Sequence, residues 1–215
     1  MRRNNKKEME FDKNGFLVTN SWTSFEDIKK NLSTIKAEFY TPSEIVEEVK
    51  IRWGFNKVWY REHIGASEIP FPVEEWIKEG GFHQEQIGYD SRGGEWNTFP
   101  LYKNGDENLN RLIKDIFPKT YSVLKDVPGI NFAAFFKQTP GSYVKRHKHT
   151  PKNAICHFLM EDLKKGAAWF KVGEGYKYME KMGDAIGFDY RIEHSTGNNS
   201  ENERVNLVVD IKIPD

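Results

Sequence analysis

The sequence predicts a mainly β protein, an antiparallel sandwich or barrel with helices towards its N-terminal end. Beyond residue 131, short β-rich runs alternate with turns that contain glycine or proline, such as Pro140-Gly141 and Gly183. The runs are 132–137, 143–147, 154–160, 167–172, 176–179, 185–189 and 204–213. Seven or eight short strands at this spacing are typical of antiparallel β-sandwiches and barrels.

The N-terminal half predicts helices and one irregular segment. Apolar residues recur at helical spacing over 24–37 and over 107–116, which indicates two amphipathic helices. Thr41-Pro42 is expected to begin another helix, because proline suits the first helical position. A short helical turn is predicted just before Pro128-Gly129, and the aromatic-rich stretch 51–102 has no regular pattern.

Length and composition predict a single domain of ordinary size. The chain has 215 residues, with 1–130 as a helical and irregular elaboration and 131–215 as the core strands. Its 32 basic and 32 acidic residues balance, so no electrostatic footprint for nucleic acid or an anionic membrane is expected. The single cysteine, Cys156, excludes an internal disulfide and fits a reducing compartment. With no secretory signal and no long apolar run, we expect a cytoplasmic protein, and the sequence leaves its oligomeric state open.

Four of the six histidines fall between residues 147 and 194, which indicates a metal site. His147 and His149 alternate along a predicted strand, His194 lies in a predicted turn, and Arg204 follows ten residues later. Neutral imidazoles bind a first-row metal such as Fe(II), and a guanidinium binds a carboxylate. The spacing therefore predicts a mononuclear metal site beside a pocket for an anionic co-substrate.

Several segments of the chain resemble the aspartyl/asparaginyl β-hydroxylase family. Pro140-Gly141-Ser-Tyr-Val-Lys-Arg-His147 resembles its PG-x5-H segment, and Cys156-His157-Phe-Leu resembles its R-x-H-L strand. Gly183-Asp-Ala-Ile-Gly-Phe-Asp-Tyr-Arg-Ile-Glu-His194 resembles its G-x4-FDDSFEH turn. Glu203-Arg204-Val-Asn-Leu-Val-Val-Asp210-Ile-Lys-Ile-Pro214 resembles its closing E-R-x-x-L-x-x-D-x-x-x-P strand. These motifs stand in the family's order over residues 94 to 215.

The resemblance implies a double-stranded β-helix, the jelly-roll fold of cupin-like oxygenases, and the use of Fe(II), O2 and 2-oxoglutarate. It implies that His147 and His194 are iron ligands and that Arg204 holds the distal carboxylate of 2-oxoglutarate. It places His157 at a further polar contact to the co-substrate, although a core histidine is the alternative. Asn206, two residues after Arg204 on the same strand face, is expected to add a hydrogen bond.

Two positions depart from the patterns that the resemblance suggests. His149 stands where many oxygenases of this fold have an acidic ligand two residues after the first histidine. This leaves two possibilities, a two-histidine site completed by water or a three-histidine site that includes His149. Ile155 stands where the R-x-H motif has a second arginine for the co-substrate, which places more weight on Arg204.

We expect an enzyme that hydroxylates an unactivated C–H bond of an amino acid, a peptide side chain or a related small molecule. The candidate substrate residues lie in and after the glycine-rich loop: Asp90, Arg92, Trp96 and Asn97. Asp189 and Asp210 are interpreted as structural. Two alternatives remain open, a non-catalytic jelly-roll protein that binds metal, and a three-histidine dioxygenase that oxidises a thiol or diketone without 2-oxoglutarate.

Overall fold

A computed structural model describes residues 9–18, 21–40, 83–84 and 96–214 of the chain. Helix α1 (Thr23–Tyr40) precedes the short strand β1 (His83–Gln84) and β2 (Trp96–Lys103). Helices α2 (Glu107–Ile116) and α3 (Pro118–Lys125) come next. The remaining strands are β3 (Ile130–Gln138), β4 (Tyr143–His147), β5 (Asn153–Leu159), β6 (Ala168–Val172), β7 (Gly175–Met179), β8 (Ala185–Asp189), β9 (His194–Asn198) and β10 (Arg204–Lys212).

The strands of the described residues form two packed antiparallel sheets. One sheet has the order β1-β2-β3-β10-β5-β8, and the other has the order β4-β9-β6-β7. Along the chain, the strands alternate between the two sheets. β3, β5, β8 and β10 lie in the first sheet, and β4, β6, β7 and β9 lie in the second. This winding is that of a double-stranded β-helix, so the predicted jelly-roll fold is confirmed.

Helices cover the outer face of the six-stranded sheet. Phe25, Ile28, Leu32, Ile35 and Phe39 follow the helical repeat of α1 and are all buried. They share one hydrophobic cluster with apolar residues of α2 and α3 and with Leu207 and Val209 of β10. The amphipathic pattern of α1 is therefore explained by this packing. Within the ranges described above, no helix combines the length and the apolar character needed to cross a membrane.

A second hydrophobic cluster fills the space between the two sheets. Because strand side chains alternate between faces, Phe132, Ala134 and Phe136 of β3 point into this space while Ala133 and Phe135 point towards the helices. The same rule places Val208 of β10 inside, together with Arg204, Asn206 and Asp210 of the same strand. The polar residues at those positions are therefore buried inside the jelly roll.

The structure corrects two sequence predictions about local structure. His194 was expected in a turn, but it begins strand β9, whose polar sequence His-Ser-Thr-Gly-Asn is held by pairing with both β4 and β6. The stretch 51–102 was expected to lack regular structure throughout, but its end forms β2, which pairs with β3 and tolerates Pro100 at an irregularity in the register. The helix expected at Thr41-Pro42 lies outside the described residues.

Candidate metal centre and co-substrate pocket

His147 and His194 lie directly opposite each other on the paired strands β4 and β9. Their ring centroids are 4.4 Å apart. Nδ1 of His194 lies 2.7 Å from the carbonyl oxygen of Ile192. A carbonyl oxygen only accepts hydrogen bonds, so Nδ1 carries the proton and donates it. This contact leaves Nε2 of His194 as the lone-pair donor available to a metal ion.

His149 joins these two residues from just beyond the end of β4. One ring nitrogen from each of His147, His149 and His194 lies within 4.8 Å of the others. The imidazole of His149 stacks on the ring of Tyr190, with centroids 3.6 Å apart and an interplanar angle of 16°. Its Nε2 atom is buried and has no hydrogen-bond partner. A buried imidazole nitrogen without a partner has the character expected of a metal ligand.

The surroundings of the three-histidine cluster favour neutral imidazoles. Burial lowers the pKa of His194 to about 3, although its hydrogen bond to Ile192 acts in the opposite direction. Burial, with a smaller effect of the neighbouring His147, lowers the pKa of His149 to about 4. Both rings are therefore unprotonated near neutral pH, which is the form that binds a metal.

Arg204 is buried inside the jelly roll, with 3% of its surface exposed. Its Nη1 donates hydrogen bonds to Oγ1 of Thr196 at 3.0 Å and to the carbonyl oxygen of Gly197 at 2.9 Å. Its guanidinium carbon lies 4.9 Å from the ring centroid of Phe170. These contacts fix the orientation of a guanidinium inside the barrel, and a guanidinium in a fixed orientation suits the planar carboxylate of an anionic ligand.

His157 and Asn206 form a polar pair next to Arg204. Nδ2 of Asn206 lies 3.3 Å from Nδ1 of His157. Because an amide nitrogen only donates, Nδ1 of His157 is the acceptor in this contact and Nε2 carries the proton. Burial, followed by the charge of Arg204, lowers the pKa of His157 well below its usual value. His157 is therefore a neutral ring inside the barrel.

Three buried polar side chains in this region, Asn206 of the pair among them, have atoms without a hydrogen-bond partner. They are Thr98 at Oγ1, Asn206 at Oδ1, and Gln138 at both Oε1 and Nε2. Gln138 is opposite Arg204 in the β3–β10 register, and Thr98 and Asn206 are both opposite Phe136. Because directly opposed residues share a sheet face, these polar atoms all lie on the inner face.

Sequence reasoning did not identify Gln138 as a candidate site residue. The signal that could have found it is the alternation along β3, because counting in twos from the apolar Phe132, Ala134 and Phe136 places Gln138 on the same inner face. An amide at such a position is expected to have a partner, so its unpartnered atoms mark a place where a polar ligand fits.

Two aromatic rings connect the three-histidine cluster with Arg204. Phe188 lies 4.7 Å from His194 and 5.9 Å from His157, measured between ring centroids. Phe170 lies 4.7 Å from His157 and also faces the guanidinium of Arg204. The three clustered histidines and the buried Arg204 therefore belong to one continuous interior region with an apolar wall.

The other predicted site residues are placed as follows. Asp90 and Arg92 lie outside the described residues, and Trp96 and Asn97 form the start of β2. Ile155 is buried in the cluster between the sheets, where it contributes apolar surface instead of a second cation. Asp189 accepts hydrogen bonds from the backbone and side chain of Arg191, and it orders the turn before His194.

Fold and side chains together define a jelly-roll protein with a candidate metal centre beside a buried arginine. A sequence profile of the aspartyl/asparaginyl β-hydroxylase family matches residues 72–214, about two thirds of the chain. The chain therefore belongs to the aspartyl/asparaginyl β-hydroxylase family, and the resemblance found from its motifs is confirmed. Membership of this family supports a hydroxylase-type dioxygenase activity.

Solved structures that are similar to the chain have low sequence identity. A predicted oxalate decarboxylase from Thermotoga maritima is 20% identical, and the match covers 61% of this chain and 93% of that one with a TM-score of 0.39. A cupin 2 conserved barrel domain protein from Rhodopseudomonas palustris is 11% identical, covering 60% and 67% of the two chains with a TM-score of 0.39. No curated protein sequence matches the chain significantly.

Proposed function

We propose that the protein is an Fe(II)- and 2-oxoglutarate-dependent dioxygenase that hydroxylates an unactivated C–H bond of an amino acid, a peptide side chain or a related small molecule. The observation that carries this proposal is the shared interior of the three-histidine cluster and the buried Arg204. In this reaction one oxygen atom of O2 enters the product as a hydroxyl group, and the other enters succinate as 2-oxoglutarate loses CO2.

His147, His149 and His194 are the residues that would hold the metal. Imidazole nitrogens suit Fe(II), and three of them leave coordination positions for a chelating co-substrate and for O2. The hydrogen bond from His194 to Ile192 and the stack of His149 on Tyr190 hold two of the rings in place before the metal binds. Bound Fe(II) supplies the activation of O2, and the protein supplies orientation and a dry interior.

Arg204, His157, Asn206 and Gln138 are the residues that would hold 2-oxoglutarate. The guanidinium supplies charge for a carboxylate, and the amides of Gln138 and Asn206 supply hydrogen bonds. Ile155 stands in place of the second arginine of the family's motif, and Gln138 offers a neutral hydrogen-bond donor on the same inner face. The buried atoms of these amides that lack partners would be satisfied by such a ligand.

Two further functions have specific support. The presence of His149 in the cluster favours a three-histidine dioxygenase that does not use 2-oxoglutarate, whereas the buried Arg204 has no role in that reaction. The replacement of an arginine by Ile155 favours a non-catalytic protein that binds metal. Both alternatives predict metal binding, and neither requires affinity for 2-oxoglutarate.

An anaerobic absorption titration of the Fe(II)-loaded protein with 2-oxoglutarate tests the proposal. A chelated complex is expected to produce a saturable charge-transfer band in the visible region. Iron content that is measured as stoichiometric, together with no band at any 2-oxoglutarate concentration, would refute the proposed use of the co-substrate. The appearance of the band leads directly to a screen of amino acids and peptides for succinate release.

Substitution of Arg204 separates co-substrate binding from metal binding. Arg204→Met keeps an apolar stem against Phe170 but removes the charge, so the affinity for 2-oxoglutarate is expected to fall by roughly tenfold or more. Iron content should not change, because Arg204 is not among the three clustered histidines. Arg111→Met on the surface of α2 is the matched control, and it should leave both quantities unaltered.

A further inference from the structure

A pocket of about 310 Å³ lies beside the three-histidine cluster. His149 and Tyr190 form one part of its lining, and Asn131, Asn153 and Asp210 form another. The volume is at the lower end of the range for small-molecule sites. His149 belongs to both the cluster and the pocket lining, so a molecule in this pocket is next to the candidate metal centre.

Asp210 contributes a buried carboxyl group to this pocket. The side chain is on the inner face of β10, and 4% of the residue is exposed. Oδ2 accepts a hydrogen bond from Nδ2 of Asn131 at 3.3 Å, whereas Oδ1 is buried without a hydrogen-bond partner. Leaving a buried carboxyl oxygen unpaired costs free energy, and a ligand that donates to it would remove that cost.

The pKa of Asp210 agrees with an incomplete site. Burial raises the pKa of this carboxyl to about 6, although the side-chain amides of Asn131 and Asn153 act in the opposite direction. A cation bound next to the carboxylate would favour its charged form and lower the pKa again. The sequence alone indicated only a structural role for Asp210, because neither the burial nor the pocket is visible in it.

Two lysines complete the charge pattern of the pocket. Lys103, at the end of β2, and Lys212, at the end of β10, both line it. A ligand with a carboxylate alone would leave Asp210 unpaired, and a ligand with an amine alone would leave the lysines without an anion. A molecule that carries both an ammonium group and a carboxylate complements all three side chains.

We propose that this pocket binds the α-ammonium and α-carboxylate groups of a free amino acid, with the ammonium group at Asp210 and the carboxylate towards Lys103 and Lys212. The inference rests on the proposed function, since it assigns the pocket to the substrate of that reaction. It specifies a free amino acid over a peptide residue, whose α-amino and α-carboxyl groups are both in amide bonds. An amino acid held here lies against the ring of His149.

Isothermal titration calorimetry of the metal-free full-length protein at pH 8 tests the pocket without any turnover. The probes are the twenty proteinogenic L-amino acids and, for each one that binds, its des-amino acid and its methyl ester. At least one amino acid is expected to bind, and removal of the ammonium group should weaken binding by roughly tenfold or more. The methyl ester, which has no carboxylate charge, should also bind more weakly.

Two substitutions give the protein side of the same test. Asp210→Asn preserves the shape of the side chain and removes its charge. It should therefore weaken binding of the amino acid but not binding of the des-amino acid. Asp162→Asn is the matched control, because Asp162 pairs with Lys181 on the surface away from the pocket. Circular dichroism of each variant verifies the fold. The comparison of an amino acid with its des-amino acid and its methyl ester uses the wild-type protein and needs no variant at all.

The outcomes separate this inference from the proposed function. It is overturned if no amino acid binds at millimolar concentration, or if binding is insensitive both to loss of the ammonium group and to Asp210→Asn. The visible band with 2-oxoglutarate is measured in the same preparations. A band without amino acid binding rejects the pocket assignment alone, whereas amino acid binding without a band rejects the dioxygenase proposal and retains the pocket.

Discussion

Gln138 and Arg204 lie directly opposite each other on β3 and β10, with both side chains inside the jelly roll. Arg204 is held by Thr196, by the carbonyl oxygen of Gly197 and by the ring of Phe170. The amide of Gln138 is 2% exposed and has no hydrogen-bond partner at either polar atom. A fixed guanidinium beside an unpartnered amide is a place that suits a carboxylate, which would give the amide nitrogen of Gln138 an acceptor.

Gln138→Leu is expected to separate ligand binding from stability. Loss of a hydrogen bond to a charged group should lower the affinity for 2-oxoglutarate by roughly tenfold in the anaerobic titration. The free energy of unfolding of the metal-free protein should rise by about 1 kcal/mol in urea denaturation, because an unsatisfied buried amide is removed. Gln138→Glu is the matched variant, and its negative charge should weaken the co-substrate further. Unchanged affinity in both variants would show that Gln138 does not contact the ligand.

His149→Phe tests whether the third histidine binds the metal. Phenylalanine retains an aromatic ring for the stack on Tyr190 but offers no ligand atom. With three ligating histidines, the affinity for Fe(II) should fall at least about tenfold, which equilibrium competition with a chromogenic chelator measures. Tyr190→Phe keeps the stack and all three imidazoles, so its iron affinity should equal that of the wild type. Full iron affinity in His149→Phe would establish a two-histidine site.

The sequence motifs predicted the interior strands and their histidines, because the motif residues fall at positions where strand side chains alternate between the two faces of a sheet. His147, His157 and Arg204 lie on the predicted strands, and the fold brings them into one interior. His194 was misplaced in a turn because β9 contains no β-branched or aromatic run, and its strand character comes from pairing on both sides. Tertiary pairing overrides local propensity in such a segment.

The pocket at Asp210 could not be predicted from the sequence, since its lining comes from several separate segments of the chain. Lys103 ends β2, Asn131 lies on β3, Asn153 begins β5 and Asp210 is near the end of β10. No local pattern links residues so distant along the chain. Their proximity follows from the register of β10 between β3 and β5, which only the folded sheet defines.

The buried Asp210 predicts a particular pH dependence of stability in the metal-free protein. Its pKa is about 6 in the folded state, against an ordinary value of 3.8, so between these pH values the folded state binds more protons than the unfolded state. The contribution of Asp210 to the free energy of unfolding should therefore fall as pH rises from about 4 to about 6 and level off above that, by up to about 3 kcal/mol. The difference in the free energy of unfolding between the wild type and Asp210→Asn, measured by urea denaturation at each pH, isolates this contribution. A difference that does not change over this interval would contradict the raised pKa.

Cys156 provides a chemical measure of whether the interior opens. The thiol is fully buried in β5, and burial, with a smaller effect of Asp210, raises its pKa. Since the thiolate is the reactive form, an aromatic disulfide reagent at pH 8 should not label the native protein, and it should label one thiol in guanidinium chloride.

Gly187→Ala should make that thiol accessible. An added Cβ at Gly187 would lie 3.0 Å from Sγ of Cys156 and 2.9 Å from Cδ2 of Leu17. Because both neighbours are buried, the substitution is expected to cost about 1–3 kcal/mol of stability. When labelling proceeds through opening of the fold, that loss should increase the rate roughly tenfold, as followed by absorbance of the released thiolate. Rapid labelling of the native wild-type protein, or an unchanged labelling rate in Gly187→Ala, would contradict this prediction. Either result would show that Cys156 reacts through a local opening that does not involve β8.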